Sequence, residues 1–316
     1  MTAKRARIMS FIVLALVIVG YHVSTTKPRW SRQAYYGLTY ALGRAEGCTY
    51  SDSTSLRLDD GLLEEMARIS ATSRRVSAER EGFARWQTPF GEFWAPVGTD
   101  MRFLLAEQSL DVYGQAEFGV QPGDLVLDCG ANVGMFTRSA LTAGAARVIA
   151  IEPSPRNVYC LRQTFRKEID EGKVVIVDAA LWDETGTMEM SAFRNSALDS
   201  LVMRSRVESR SEATLIDVPL TTIDAVVADL GIDDVDYIKM DIEGAERNAL
   251  RGATQTITDH HPRMAIAAEN LPDDIRVVPE TIRGFAPNYN QINGACRMIR
   301  FMTLRPEVIH FVPANN

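Results

Sequence analysis

The chain has 316 residues, 46% of them hydrophobic and 24% charged, with a formal net charge of -7. This composition excludes collagen-like, low-complexity and disordered classes. It also provides no overall basic field to gather phosphates, so nucleic acid is not an expected partner.

The length accommodates one large α/β domain and an N-terminal extension. The first feature in chain order is the uncharged, almost wholly apolar run from Ile8 to Val23, which follows Lys4, Arg5 and Arg7. A spanning helix takes about 20 apolar residues, and flanking basic side chains can snorkel to complete a short one. A cleaved signal peptide starts the same way, but no small-x-small site follows Val23. The expectation is a single-pass anchor with its flanks over residues 1–30, touching the membrane through residues 8–23. Lys27, Arg29 and Arg32 nearly balance the first positive charges, so charge alone leaves the sidedness open.

Residues 31–119 read as a helical extension that caps the main domain. Within it, Leu58, Leu62, Met66 and Ile69 recur at helical spacing and predict a helix from Leu56 to Ile69. A short strand is expected from Pro89 to Ala95. Cys48, Cys129, Cys160 and Cys296 are far apart and form no Cys-x-x-Cys pair, so all four are expected as buried free thiols.

From about Val120 to the end, strands and helices alternate, which predicts a mostly parallel sheet with helices on both faces. Strands are expected at Leu125–Cys129, Arg147–Glu152, Val174–Asp178, Tyr237–Met240 and Met264–Ala268. Helices are expected at Met135–Ala143, Pro155–Ile169, Thr222–Leu230 and from Ala245 to Leu250. The polar stretch from Asp183 to Ala213 is longer than ordinary connections and reads as a substrate-side insertion. Beyond Pro272 the pattern is weak.

The densest local signal is Asp128-Cys129-Gly130-Ala131-Asn132-Val133-Gly134, a glycine turn between a buried strand and a helix. Gly130 and Gly134 permit tight turning and close approach of a ligand at the carboxyl end of a parallel strand. A dinucleotide site wants Gly-x-Gly-x-x-Gly, and its second glycine is Asn132 here. Asp128 also sets a carboxylate where the cationic end of S-adenosylmethionine (SAM) would sit, which a pyrophosphate would not welcome. Glu152 ends the next strand, where it can accept bonds from both ribose hydroxyls. Asp178 ends the third strand and is expected to accept from the adenine amino group. Helix or loop capping is the bland alternative for all three acids.

The second signal is Tyr237-Ile238-Lys239-Met240-Asp241-Ile242-Glu243-Gly244-Ala245-Glu246. Period-two alternation puts Lys239 and Asp241 on one strand face, so they are available to pair. Glu243 and Glu246 share a side if the next helix starts at Glu243, and simple capping of its N-terminus is the alternative reading. The expected roles are Asp241 as base or orienter, Lys239 polarising or pairing, and Glu243 touching SAM or substrate. Clustered carboxylates can hold Mg²⁺, but no histidine ligand is near and no metal ligands are assigned.

At these residues the chain resembles the FkbM family of SAM-dependent methyltransferases. The matching pieces are VLDCGANVGMFT (126 to 137), IAIEPSP (149 to 155), VDAAL (177 to 181), VPLTTID (218 to 224), YIKMDIEGAE (237 to 246) and LRGA (250 to 253), with Glu269 at a later acidic position. The resemblance implies a Rossmann-like class I methyltransferase domain over residues 120–316, and methyl transfer to a hydroxyl of a sugar, glycan, glycolipid or polyketide. It implies SAM binding by Asp128, Gly130, Asn132, Gly134 and Glu152, with Lys239, Asp241 and Glu243 facing the reaction. Two departures are Glu269-Asn270-Leu271, where many members carry a histidine, and the N-terminal apolar run. An NAD-dependent Rossmann oxidoreductase and a catalytically inactive membrane-tethered SAM-binding protein are the competing readings. Since SAM is made in the cytoplasm, the expected location of the domain is the cytoplasmic face of the membrane.

Overall fold

A computed structural model of the chain describes residues 29–55, 57–77, 82–114, 118–202, 213–299 and 303–314. The extension opens with helices α1 (Arg29–Ala41), α2 (Tyr50–Ser55) and α3 (Arg57–Thr72). It continues through β1 (Arg74–Arg75), β2 (Phe83–Thr88), β3 (Gly91–Pro96) and α4 (Met101–Ser109). The predicted helix from Leu56 is α3. The expected strand at Pro89–Ala95 is the second arm of a hairpin, with Pro89 and Phe90 in its turn, and β1–β3 form an antiparallel sheet. The extension thus carries a three-stranded sheet where one strand was expected among its helices. Alternating residues Phe93 and Ala95 are buried with Ile69 and Leu105, against Val133 and Cys160 of the main domain.

The main domain runs β4 (Leu125–Cys129), α5 (Met135–Ala143), β5 (Arg147–Ile151), α6 (Pro155–Thr164), α7 (Arg166–Asp170) and β6 (Val174–Val177). Then come β7 (Ala180–Leu181), β8 (Gly186–Ala192), a 3-10 turn at Ser196–Leu198, β9 (Thr214–Thr221) and α8 (Ile223–Asp229). Next are β10 (Tyr237–Met240), α9 (Glu246–Arg251), α10 (Thr254–His260), β11 (Arg263–Ala267) and α11 (Asp274–Phe285). The chain closes with β12 (Tyr289–Asn293), β13 (Cys296–Ile299), β14 (Thr303–Pro306) and β15 (Val308–Pro313). The single helix expected over Pro155–Ile169 is two, α6 and α7, joined at Phe165, which is fully buried.

Seven strands form the central sheet in the order β12-β15-β11-β10-β4-β5-β6. Pairing is parallel from β11 to β6, while β15 runs antiparallel to both its neighbours. This is the mixed, mostly parallel sheet of a Rossmann-like α/β fold. Its strands are apolar on both faces because helices cover both. Val126, Tyr237, Ala265 and Val308 pack on one side, and Leu127, Ile238, Ile266 and Ile309 on the other. From β4 the chain steps outward to β6, then returns across β4 to lay down β10. Open α/β sheets bind ligands at such a reversal, outside the carboxyl ends of the strands.

Two expectations about the rest of the chain are corrected. Cys48 and Cys296 are disulfide-bonded across a sequence separation of 248, with Cα atoms 6.2 Å apart, while Cys129 and Cys160 are buried free thiols. Linear spacing held no trace of that pair, because it exists only once the β13–β14 hairpin packs on the extension. There Ala45 bridges to Leu304, and Leu304 is buried with Tyr35 and Tyr36. The expected anchor at residues 8–23 lies outside the described residues. Among the described residues no helix is long and apolar enough to cross a membrane, and the single-pass membrane location is carried no further.

Candidate active site

A cavity of about 590 Å³ opens at the strand reversal, inside the roughly 300–1,000 Å³ range of small-molecule sites. Its floor is the elbow after β4. Gly130 has φ +78°, and a Cβ there would overlap the Asp241 carbonyl oxygen. The close approach that demands glycine is thus between two strand ends, not between backbone and ligand. Gly134 has φ +91° and begins α5, but its neighbour is the Phe165 ring in the core, so it shapes the turn without lining the cavity.

Asn132 lines the cavity with φ 52°, a left-handed conformation that asparagine tolerates better than most residues. Its Oδ1 accepts from the Val133 N–H at 2.8 Å, and its Nδ2 donates to the Ser196 carbonyl at 3.2 Å. Glu152 is almost fully buried at the cavity wall. It accepts from the Asn132 N–H at 2.8 Å, the Ser154 N–H at 2.9 Å and Asn157 Nδ2 at 3.2 Å. Burial pushes its pKa up to about 7 despite those bonds. A carboxylate accepts about four bonds, so capacity for one ligand hydroxyl remains.

The structure does not bring Asp178 or Asp128 to the cavity. Asp178 is half exposed and ion-paired with Arg162 at 2.6 Å, outside the lining. Asp128 is fully buried behind the elbow, accepting from the Thr137 hydroxyl at 2.6 Å and facing Lys239 Nζ at 3.3 Å. Lys239 therefore pairs with Asp128 of the adjacent strand, its register partner. Its Nζ also donates to the Gly130 carbonyl at 2.8 Å, and so helps hold the elbow. Burial pulls the lysine pKa down, but Asp128 and Asp241 outweigh it and the net shift is upward.

Asp241 and Glu243 follow β10 and line the cavity beside Lys239. Asp241 Oδ2 accepts from the Tyr113 hydroxyl at 2.7 Å, and Oδ1 has a long contact of 3.4 Å from Asn270 Nδ2. Glu243 sits at φ 55°, strained backbone of the kind concentrated at ligand sites. Helix α9 begins at Glu246, not Glu243. Glu246 is fully buried and takes the N–H groups of Ile242 and Gly244 together with Asn270 Nδ2, organising the turn instead of facing the cavity.

Sequence reasoning assigned no individual residue among those that complete the wall. Glu107 and Tyr113 come from the extension, Asn195, Ser196 and Leu198 to Leu201 from the stretch read as a substrate-side insertion, and Arg297 and Met298 from the hairpin. No local motif marks them, since the fold alone assembles them. Burial raises the carboxyl pKa of Glu107 and Glu243 well above the ordinary range, with Glu307 and Asp241 respectively adding repulsion. Glu269 rises to about 8, chiefly by burial. Arg297, the cation at this end, contacts Glu307 and lies 3.9 Å from Glu269. Among the described residues no group of three or more His, Cys, Asp or Glu is arranged to hold a metal ion.

Comparison with known proteins follows the same outline. The model of the methyltransferase FkbM domain matches residues 128–292, just over half of the chain. The 31-O-demethyl-FK506 methyltransferase FkbM of Streptomyces tacrolimicus is 27% identical over 161 residues, covering 42% of this chain and 60% of the relative. The chain thus matches about three fifths of that protein's length. A crystal structure of methyltransferase FkbM from Methylobacillus flagellatus is similar with TM-score 0.44 and 17% identity, over 84% of this chain and 63% of that one. Aeropyrum pernix fibrillarin, solved with natively bound SAM, gives TM-score 0.38 and 13% identity, over 75% of this chain and 98% of that one. On the family match, the chain belongs to the FkbM domain methyltransferases.

Proposed function

We propose that the protein transfers a methyl group from SAM to a hydroxyl oxygen of a small-molecule, sugar or glycan acceptor, with residues 120–316 as the catalytic unit and 31–119 as its cap. The observation that carries this reading is the carboxyl-rich wall of the cavity. Glu107, Glu152, Asp199, Asp241, Glu243 and Glu269 line it, against Lys239 and Arg297, each already held by carboxylates. A cationic ligand suits that wall, because carboxyls that burial holds toward the neutral form ionise more readily beside a positive charge, whereas the diphosphate of a dinucleotide would find both lining cations already paired. The S. tacrolimicus relative, named for a demethylated oxygen, supports oxygen as the acceptor atom.

SAM would lie along the Gly130 elbow with Glu152 on one ribose hydroxyl and the small residues Ala179 and Ala180 beside its base. When bound, it would supply a methyl carbon on a sulfonium, so that the new O–C bond forms as C–S breaks and the hydroxyl proton is released. Asp241 is the group assigned to that proton: its Oδ2 is committed to Tyr113, leaving Oδ1 toward the acceptor. Burial raises the carboxyl pKa of both Glu243 and Glu269, the latter to about 8, and a carboxyl that holds its proton can both donate to and accept from a polyol. Lys239 acts through Asp128 and the elbow.

The test combines SAM titration by calorimetry with transfer of labelled methyl to methyl mannoside, methyl rhamnoside and cyclohexane-1,2-diol. Asp241→Asn is expected to keep SAM affinity and to lose about 10²- to 10⁴-fold in turnover, the usual contribution of a general base. Binding of NADH in place of SAM would defeat the cofactor assignment, and unchanged turnover in Asp241→Asn would remove it as the base.

A further inference from the structure

Tyr113 lies outside the stretch matched by the family model and belongs to the extension, in the turn that follows α4. Four contacts fix it. Its hydroxyl donates to Asp241 Oδ2 at 2.7 Å. Its carbonyl accepts from the Tyr237 hydroxyl, so the base of β10 holds its backbone in place. Its ring lies 5.3 Å from Lys239 Nζ and meets Phe136 edge-on at 6.1 Å. The side chain lines the cavity although the residue is only 5% exposed.

A carboxylate that takes a proton from a hydroxyl must present one oxygen in a fixed direction. On its own strand Asp241 has no such constraint, because it follows the last residue of β10 and its strongest bond is the one from Tyr113. The remaining contact, from Asn270, is 3.4 Å long, and Asn270 Nδ2 is better placed on Glu246 at 2.9 Å. We propose that Tyr113 is the positioning residue for Asp241: the extension reaches into the active site and pins one carboxylate oxygen so that the other faces the acceptor. The inference rests on the reading of Asp241 as the base. It makes the extension part of the catalytic apparatus, and it fits the Lys239 ammonium over the Tyr113 ring, a cation–π contact that holds the ring where the hydroxyl reaches Asp241.

The experiment is a double-mutant cycle on the full chain, using methyl-labelled SAM and the three hydroxyl probes named above. Tyr113→Phe keeps the ring and removes the donor. The expected result is a turnover loss of about ten- to a hundredfold, the worth of a hydrogen bond to a charged group, with SAM affinity within roughly twofold of the native chain. In an Asp241→Asn background the same change should cost nothing further, since residues acting as a unit are non-additive. An equal loss in both backgrounds, or a loss confined to SAM affinity, would overturn the assignment. If Asp241→Asn itself retains turnover, or the native chain methylates none of the probes, the parent reading fails and takes this one with it. A second measurement is independent of turnover. With tyrosine labelled at ring carbon Cζ, the Tyr113 resonance should move in Asp241→Asn and stay in place in Glu269→Gln; a resonance indifferent to Asp241 would equally overturn it.

Discussion

At one end of the cavity, Gly130, Asn132 and Glu152 come from one short stretch of chain spanning two adjacent strands. At the other, Glu107 and Tyr113 come from the extension, Glu269 from the edge of β11 and Arg297 from the C-terminal hairpin. The first end is built largely from backbone turns whose polar groups satisfy each other, as Glu152 does with the Asn132 and Ser154 N–H groups. The second is built from long side chains that meet only after distant segments dock. A part shared by many acceptor chemistries can be encoded once, as a contiguous motif. A part that must differ from one acceptor to the next is assembled from the periphery, where substitution leaves the sheet intact.

The largest expected effect strikes the first end. Gly130→Ala forces a Cβ onto the Asp241 carbonyl in a left-handed backbone, and should cost about 3 kcal/mol or more in urea unfolding. Retention of native stability would mean that the two strand ends are not in contact. Cutting the support of the second end comes next. Replacing both Cys48 and Cys296 by serine should cost about 2 to 5 kcal/mol and weaken acceptor binding more than SAM binding. Equal weakening of both would erase the distinction drawn between the ends.

A smaller effect follows from Glu152. Its folded pKa is raised from 4.5 to about 7, so the ionised form, to which the proposal assigns a ribose hydroxyl, is complete only above that value and is lost as pH falls through it. SAM affinity should drop about tenfold from pH 8 to pH 6, and Glu152→Gln should flatten that dependence in a calorimetric series. The smallest effect is a null. Asp178→Ala removes an exposed ion pair with Arg162 and should change stability by less than about 1 kcal/mol, with SAM affinity untouched. A clear loss of affinity there would return Asp178 to the nucleoside.

Much of the sheet was legible because its strands are short apolar runs between glycine and proline punctuation, and Met135–Ala143 and Leu125–Cys129 match their helix and strand residue for residue. The glycine elbow was legible for the same local reason. Side-chain direction was not. Whether Asp178 faces adenine or Arg162, and whether Lys239 pairs with Asp241 or Asp128, depends on strand register and on neighbours remote in sequence. Tyr113 carried no signal at all, being one aromatic residue in an irregular turn. The disulfide was hidden because two cysteines so widely separated have no local mark of partnership.

That cross-link imposes an order on the making of the molecule. At translation speeds of about 5 to 20 residues per second, a separation of 248 residues leaves the earlier thiol waiting roughly 12 to 50 seconds for its mate to leave the ribosome. Cys129 and Cys160 emerge in that interval and escape mispairing only if β4 and α6 have already folded over them. A nascent chain stopped short of its hairpin would carry three competing thiols and an unfastened front end.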